Sequence, residues 1–161
     1  MTLLAIDPGP TESAYCIIND ERKPIHFGKI NNRELLKELW TLMLPGVDRV
    51  AIEMIDSYGM PVGAEVFETC VWIGRFAQEI SEDGIEAELV KRREVKLHHC
   101  HSAKATDTNV RYALVDRFAP GKSKTYGKGT KAAPGFFYGF KADVWAAYAL
   151  AVYALDTWEA I

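Results

Sequence analysis

Three acidic residues stand where the surrounding sequence is otherwise apolar. Asp7 ends the run LLAID, Glu53 lies inside VAIEM, and Asp143 begins the apolar segment that closes the chain. A carboxylate in an apolar strand costs free energy unless it is paired or bound to a cation. Carboxylate oxygens suit hard divalent cations, so the set predicts a Mg²⁺ or Mn²⁺ site. Taken singly, Asp7 also suits a turn and Asp143 a helix cap. The three acids together, with the basic segment 91–141 in the same chain, favour a metal site.

A metal site of this kind needs a sheet that brings the carboxylates together. Runs of strand-forming residues joined by polar turns predict an antiparallel meander, then a helix and a fourth strand, over residues 2–6, 13–19, 25–30, 33–44 and 47–55. The order strand, helix, strand makes the fourth strand a parallel neighbour of the first. Asp7 and Glu53 then lie on adjacent strands, where a divalent cation would offset their mutual repulsion.

The rest of the chain predicts a helix, an alternating strand, a helix, a long loop and an Ala-rich helix, over residues 63–80, 85–97, 102–118, 119–139 and 141–158. The expected fold class is α/β, with a mixed five-stranded sheet and helices on both faces, in a single domain over residues 1–161. This is the element order of the ribonuclease H-like fold. If the last helix packs on the sheet, its first turn brings Asp143 to the other two carboxylates.

The charge is strongly segregated along the chain. The formal net charge is −3, but residues 1–90 carry 7 basic and 16 acidic side chains, whereas residues 91–141 carry 12 basic and 3 acidic ones. The local field, and not the net charge, steers association, so the basic segment predicts a polyanionic partner such as DNA. The alternative is a solvated basic face without a ligand.

Several basic side chains are candidates for contacts to DNA phosphates. One group is predicted near the end of the strand 85–97, a pair lies seven residues apart on a predicted helix, and four lysines lie in a Gly-rich loop that we expect to be a flexible arm. The candidates are Lys91, Arg92, Arg93, Lys96, Lys104, Arg111, Lys122, Lys124, Lys128, Lys131 and Lys141. Such contacts are independent of base sequence, and no set of side chains suggests readout of the major groove.

Composition and motifs exclude several other classes. No apolar run is long enough to span a bilayer, and the N-terminus lacks the pattern of a signal peptide. Three scattered cysteines argue against a disulfide framework and predict a reducing, cytoplasmic location. The run His98–His101 does not suit zinc, because consecutive residues close a tetrahedral site only with strain. We expect instead a strand end with one His facing the active site.

The acidic motifs resemble those of RuvC-type Holliday junction resolvases. LLAIDPGPTESAYCII is similar to the family's first motif, VAIEMI to the second, and KADVWAAYALA to the last. The DVWAA ending and the stretch KLHHCHSAKATDTNVRYALVDRF resemble RuvC-like proteins of phages and prophages. This resemblance implies the cytoplasm of a bacterial or phage-infected cell. The resemblance runs through the whole chain in order.

This resemblance implies a metal-dependent, structure-selective DNA endonuclease that resolves branched DNA such as four-way junctions. It implies two-metal phosphodiester hydrolysis at Asp7, Glu53 and Asp143, with the carboxylates acting as ligands to two Mg²⁺ or Mn²⁺ ions. It also implies a homodimer, for which the apolar surplus on the helix 63–80 would supply the interface. The family often places an aromatic residue shortly after the Glu to stack on bases, and Tyr58 is the candidate here.

One position departs from the family pattern. The last motif commonly carries two Asp three residues apart, but Ala146 follows Asp143 at that spacing. The fourth ligand is dispensable in this branch, or it comes from elsewhere, or the sequence has been altered; we favour the first explanation. Competing functions are a ribonuclease H-like nuclease acting on flaps or RNA–DNA hybrids and a non-catalytic DNA-binding relative. A phosphotransferase of the actin or sugar-kinase type needs two lobes, for which 161 residues are too few.

Overall fold

Five strands form one mixed sheet in the computed structural model, which describes residues 1–159 and the side chains of residues 1–158. The strands are β1 (Leu3–Asp7), β2 (Glu12–Ile18), β3 (Pro24–Asn31), β4 (Arg49–Met54) and β5 (Glu88–Lys91). Their order across the sheet is β3-β2-β1-β4-β5. β1, β2 and β3 pair antiparallel, whereas β4 is parallel to both β1 and β5. The predicted meander and the parallel crossover are both confirmed.

Five α-helices cover the two faces of this sheet: α1 (Asn32–Met43), α2 (Ala64–Glu82), α3 (Arg92–Cys100), α4 (Asp107–Phe118) and α5 (Val144–Glu159). The pleat divides the core into two layers. Leu3 and Ala5 of β1 belong to the layer that α5 covers, whereas Leu4 and Ile6 belong to the layer beneath α1 and α2. The predicted α/β architecture with helices on both faces is therefore confirmed.

Helix α5 lies centrally on the sheet and is apolar on almost all sides. Ala147, Ala151 and Ala154 of this helix are fully buried, and small side chains allow the helix to approach the strands closely. The hydroxyl of Tyr148 donates a hydrogen bond of 2.8 Å to the Arg22 carbonyl, which satisfies its polar atom within the core. Among the described residues no helix has both the length and the apolar character needed to cross a bilayer.

The predicted strand over residues 85–97 is wrong beyond its first half. β5 ends at Lys91, and α3 begins at the next residue. The carboxylate of Glu94 accepts a hydrogen bond of 2.9 Å from the Lys91 backbone N–H, a capping contact that starts the helix. The basic residues that interrupted the alternating pattern thus mark the boundary between a strand and a helix.

The predicted helix over residues 102–118 begins five residues late. Thr106 caps it: its hydroxyl accepts from the Asn109 backbone N–H at 3.1 Å, and the Asn109 side chain accepts from the Thr106 N–H at 2.9 Å. Lys104 therefore precedes the helix, and the predicted shared helix face of Lys104 and Arg111 is wrong. The last helix likewise begins at Val144 and not at residue 141, so Asp143 lies just before its first turn.

The Gly-rich segment of residues 119–139 is anchored to the domain, which corrects the prediction of a flexible arm. Phe137 is fully buried in the core, and Phe136 stacks on Phe118 with ring centroids 5.3 Å apart. Gly127 has a φ of +66°, and a Cβ there would lie 2.6 Å from the Cβ of Ala119. The glycines thus serve close packing at least as much as flexibility.

Candidate active site

Asp7 and Glu53 lie side by side on the face of the sheet that α5 covers. The parallel register pairs Ile6 with Ile52, so the next residue on each strand brings the two acids together. Their side chains lie close together. Burial, and then the negative charge of Glu53, raise the pKa of Asp7 to about 8. Burial also raises the pKa of Glu53, although the positive charge of Arg92 opposes this effect.

A tight turn after β1 holds Asp7 at the strand end. The Asn32 side chain donates to the Gly9 carbonyl at 2.8 Å and accepts from the buried Ser13 hydroxyl at 2.5 Å. A Cβ at Gly9 would lie 2.4 Å from the Glu12 carbonyl oxygen, so this position requires glycine. The Asp-Pro-Gly sequence and the start of α1 are therefore parts of one structural unit that positions the carboxylate of Asp7.

Two basic side chains neutralise the other carboxylates of the site. The Nε of Arg92 lies 3.0 Å from Oε1 of Glu53, and its Nη1 lies 4.0 Å from Oδ2 of Asp107. The Nζ of Lys29 lies 2.6 Å from Oδ2 of Asp143. Lys29 reaches this point because β3 pairs it with Ala14, which in turn pairs with Asp7 across the sheet.

A cavity beside α5 collects these charges. We call it the carboxylate cavity; its polar lining consists of Glu53, Asp107, Asp143, Arg92, Lys96 and Arg111. A second depression, here called the basic groove, adjoins it through Glu53, Arg92 and Lys96 and adds Tyr58 and Arg93. The negative charge of Asp143 also contributes to the raised pKa of Asp7, so the three predicted ligands lie close enough to act on one another.

The three predicted ligands are near one another, but their side chains do not surround a common point. Within residues 1–158, no three His, Cys, Asp or Glu side chains are already arranged as a finished metal site. Asp7 and Glu53 are paired, whereas Asp143 contacts Lys29. The donor set nevertheless fits a hard divalent cation, because buried carboxylates that repel each other are stabilised by a positive ion between them.

The predicted DNA-binding residues fall into two groups. Arg92, Lys96 and Arg111 line the carboxylate cavity, and Arg93 and Tyr58 line the basic groove, with Tyr58 being 63% exposed. Lys91 lies 3.5 Å from Asp56 at the end of β5. The remaining lysines lie outside the lining of both depressions: Lys104, Lys122, Lys124, Lys131 and Lys141 are exposed, and Lys128 is half-buried.

The prediction that one His at a strand end faces the active site is wrong. His98 and His99 belong to α3 and face α5, where they contact Asp156 at 2.7 Å and the Ala149 carbonyl at 2.8 Å. Burial lowers the pKa of His99 to about 4. His101 is an exposed residue with a φ of +58° that ends the helix. These side chains join α3 to α5 because the segment is helical and not extended.

Two residues of the site were missed by sequence analysis. Asp107 lies within the predicted helix 102–118 and Lys29 within the predicted strand 25–30, and neither is among the predicted site residues. The first could have been found from Thr106 and Asn109, whose spacing is typical of a capped helix start at Asp107. The second depends on the strand register, which places Lys29 in the same row as Asp7.

Comparison with known proteins identifies the fold. No family model matches the chain, and no curated protein matches its sequence. Two solved structures, "Thermus thermophilus RuvC structure" and "T. thermophilus RuvC in complex with Holliday junction substrate", match with TM-scores of 0.71 and identities of 17% and 14%. Each alignment covers 99% of this chain and 97% or 96% of the RuvC chain. The chain therefore has the fold of RuvC, the ribonuclease H-like fold that its motifs predicted.

Proposed function

We propose that this protein is a metal-dependent endonuclease that cuts branched DNA, with the four-way junction as its substrate. The observation that carries this proposal is the buried Asp7–Glu53 pair at the edge of a cavity lined by three basic side chains. The RuvC structure with a Holliday junction substrate supports the choice of branched DNA. Membership of the phage and prophage branch remains a prediction.

Asp7, Glu53 and Asp143 are the residues that would hold Mg²⁺ or Mn²⁺, as two ions. Bound ions of this type polarise a phosphoryl oxygen and lower the pKa of a water molecule towards neutrality. The carboxylates would then be ionised ligands, since a nearby cation reverses the effect of burial on the pKa of Asp7. Asp143 would have to leave Lys29, and Glu53 would have to leave Arg92, to share that role.

The basic side chains would place a DNA strand across these carboxylates. Arg92, Lys96 and Arg111 are within the cavity that holds the acids, so they would contact the phosphates next to the cleaved bond. Tyr58, exposed at the side of the basic groove, would stack on an unpaired base at the junction centre. Phosphate contacts of this kind carry no base specificity, which suits an enzyme that selects its substrate by shape.

A homodimer would match the two-fold symmetry of a four-way junction. Helix α2 leaves Phe67 and Val71 about 60% exposed, one helical turn apart, and Met60 is exposed in the preceding loop. Exposed apolar side chains that form a patch mark interaction surfaces. Two copies joined through α2 would present two active sites to the two strands that must be cut.

The deciding experiment is a cleavage assay on junction, flap, duplex and RNA–DNA hybrid substrates, with and without Mg²⁺. We expect paired, symmetric nicks on the junction when Mg²⁺ is present and no nicks when it is absent. Asp7→Asn should abolish cleavage and retain or strengthen DNA binding, since it removes a charge that repels phosphate. Asp116→Asn, an exposed acid on α4, is the matched control and should cleave like the wild type.

Each alternative predicts a different result in the same assay. Preferential cutting of flaps or hybrids would identify that nucleic acid, and not the four-way junction, as the substrate. Binding of DNA without cleavage under any metal condition would identify a non-catalytic DNA-binding relative. Cleavage by Asp7→Asn at the wild-type rate would contradict the assignment of the site.

A further inference from the structure

Asp107 is an acidic residue that faces the same cavity as the predicted metal ligands. It is the first residue of α4, its side chain is 70% exposed, and it lines the cavity together with Glu53 and Asp143. Its negative charge raises the pKa of Glu53 and also that of Arg92, so Asp107 lies within electrostatic reach of both groups. Asp107 is thus part of the charge balance of the site.

Arg92 shows where Asp107 and Glu53 meet. One guanidinium contacts both acids, with its Nε 3.0 Å from Glu53 and its Nη1 4.0 Å from Asp107. A single cation held between two carboxylates marks a point that both favour for positive charge. A divalent ion at that point would find oxygen ligands on β4 and on α4, which are the kind that Mg²⁺ and Mn²⁺ prefer.

The opposite wall of the cavity offers fewer ligands. Asp143 lies just before α5, and Ala146, which lines the same cavity one turn further on, carries no donor atom. Four carboxylates, from Asp7, Glu53, Asp107 and Asp143, would balance the charge of two divalent ions. Without Asp107, three carboxylates would leave an excess positive charge.

Arg111 offers a hydrogen-bond donor to an anionic group in the same cavity. The Nε of Arg111 is buried and has no hydrogen-bond partner among the described residues, although Arg111 lines the cavity. Its guanidinium carbon lies 5.5 Å from the ring centroids of both Tyr126 and Trp145, which restrict its orientation. A buried donor without a partner costs free energy that an incoming acceptor, such as a phosphate oxygen, would recover.

We propose that Asp107 is a fourth carboxylate ligand of the metal site and that Arg92 occupies the place of the cation until metal binds. A bound metal would release Arg92 from the two acids, and Arg92 would then be free to contact a substrate phosphate when DNA binds. This inference rests on the proposed function, since it assumes a divalent metal at Asp7 and Glu53. It differs from the sequence-based expectation that the fourth ligand is dispensable, because it takes that ligand from α4 instead of α5.

The test measures Mn²⁺ binding to the full-length protein without DNA, by calorimetry and by electron paramagnetic resonance of free Mn²⁺. Asp107→Asn should weaken at least one Mn²⁺ site by about tenfold or more. Asp116→Asn, on the same helix, should bind like the wild type. Ala146→Asp added to Asp107→Asn should restore the lost affinity, since position 146 faces the same cavity. Thermal unfolding would confirm that each variant is folded.

A second background separates a ligand from a mere partner of Arg92. If Asp107 only neutralises Arg92, then Asp107→Asn should have no effect on Mn²⁺ binding once Arg92→Gln is present. If Asp107 is a ligand, the loss should persist in that background. Superimposable Mn²⁺ titrations for Asp107→Asn and Asp116→Asn would overturn this inference alone. A wild-type protein that binds no Mn²⁺ would overturn the metal site of the proposed function as well.

Discussion

The Nζ of Lys29 lies 2.6 Å from Oδ2 of Asp143, although 114 residues separate them in the chain. Lys29 extends from the edge of the sheet, and Asp143 precedes the helix that covers it. The contact raises the pKa of Lys29 above its usual value, chiefly through the hydrogen bond to Asp143. A predicted metal ligand is thus paired with a side-chain cation, as Glu53 is paired with Arg92.

Removing Lys29 should therefore free Asp143 for a metal ion. We expect Lys29→Gln to strengthen Mn²⁺ binding without DNA about two- to fivefold, the range that an exposed ion pair contributes. Calorimetric titration measures this change, and Lys23→Gln, an exposed lysine on the β2–β3 turn, serves as the control. Weaker Mn²⁺ binding by Lys29→Gln would show that the lysine orients Asp143 for the metal instead of competing with it.

The exposed face of α2 should control self-association. Phe67→Asp should shift the protein from dimer to monomer, because a two-fold interface places each introduced charge near its copy. Sedimentation velocity at micromolar concentration, with and without junction DNA, measures the outcome. Phe67→Leu keeps the apolar surface and should remain dimeric. A wild-type protein that sediments only as a monomer on DNA would remove the basis for this assignment.

The lysines of the anchored loop should contribute non-specific DNA affinity. Changing Lys122, Lys124, Lys128 and Lys131 to Gln should weaken binding to every DNA shape. It should also reduce the slope of log K against log salt by about 2–4 units. The control changes Lys23 and Lys37 to Gln. Both lie in the acidic segment 1–90, and this double variant should keep the wild-type slope of log K against log salt. An unaltered slope in the quadruple variant would assign binding to the residues around the carboxylate cavity instead.

The ion cluster around Asp156 should govern acid stability. Burial alone would raise the pKa of its carboxyl, but hydrogen bonds from Arg117, His98 and Arg22 hold that pKa well below its usual range. A depressed pKa adds stability above the unfolded value near pH 4, and this stability is lost as the pH falls through the folded pKa. The wild type should therefore lose free energy of unfolding below about pH 4.

Asp156→Asn should remove that acid-sensitive contribution. We expect it to lower the free energy of unfolding at pH 7 by about 2–3 kcal/mol, because it leaves Arg22 and Arg117 with weaker partners. Urea unfolding at pH 7 and pH 3 would measure a smaller difference from the wild type at the lower pH, because the contribution is already partly lost there. The same loss at both pH values would mean that packing, and not charge, is the cause; Asp116→Asn is the control.

Local pattern alone determined much of this fold. Apolar runs that end in turn residues defined β1 to β4, and the strand–helix–strand order made β1 and β4 parallel. Those two facts are sufficient to pair Asp7 with Glu53, because adjacent parallel strands bring matching positions together. The same patterning left Phe67 and Val71 as an apolar surplus on α2, and both are exposed.

Only the tertiary structure decided which charges meet. The segment after Lys91 satisfies a strand pattern as well as a helix pattern, and the capping contact with Glu94 resolves it as a helix. That choice turns Arg92 towards Glu53 and His98 away from the active site. The pairings of Lys29 with Asp143 and of Arg92 with Asp107 join distant segments, so no local spacing encodes them. They arise because strand register and helix packing set the distances on which electrostatic interactions depend.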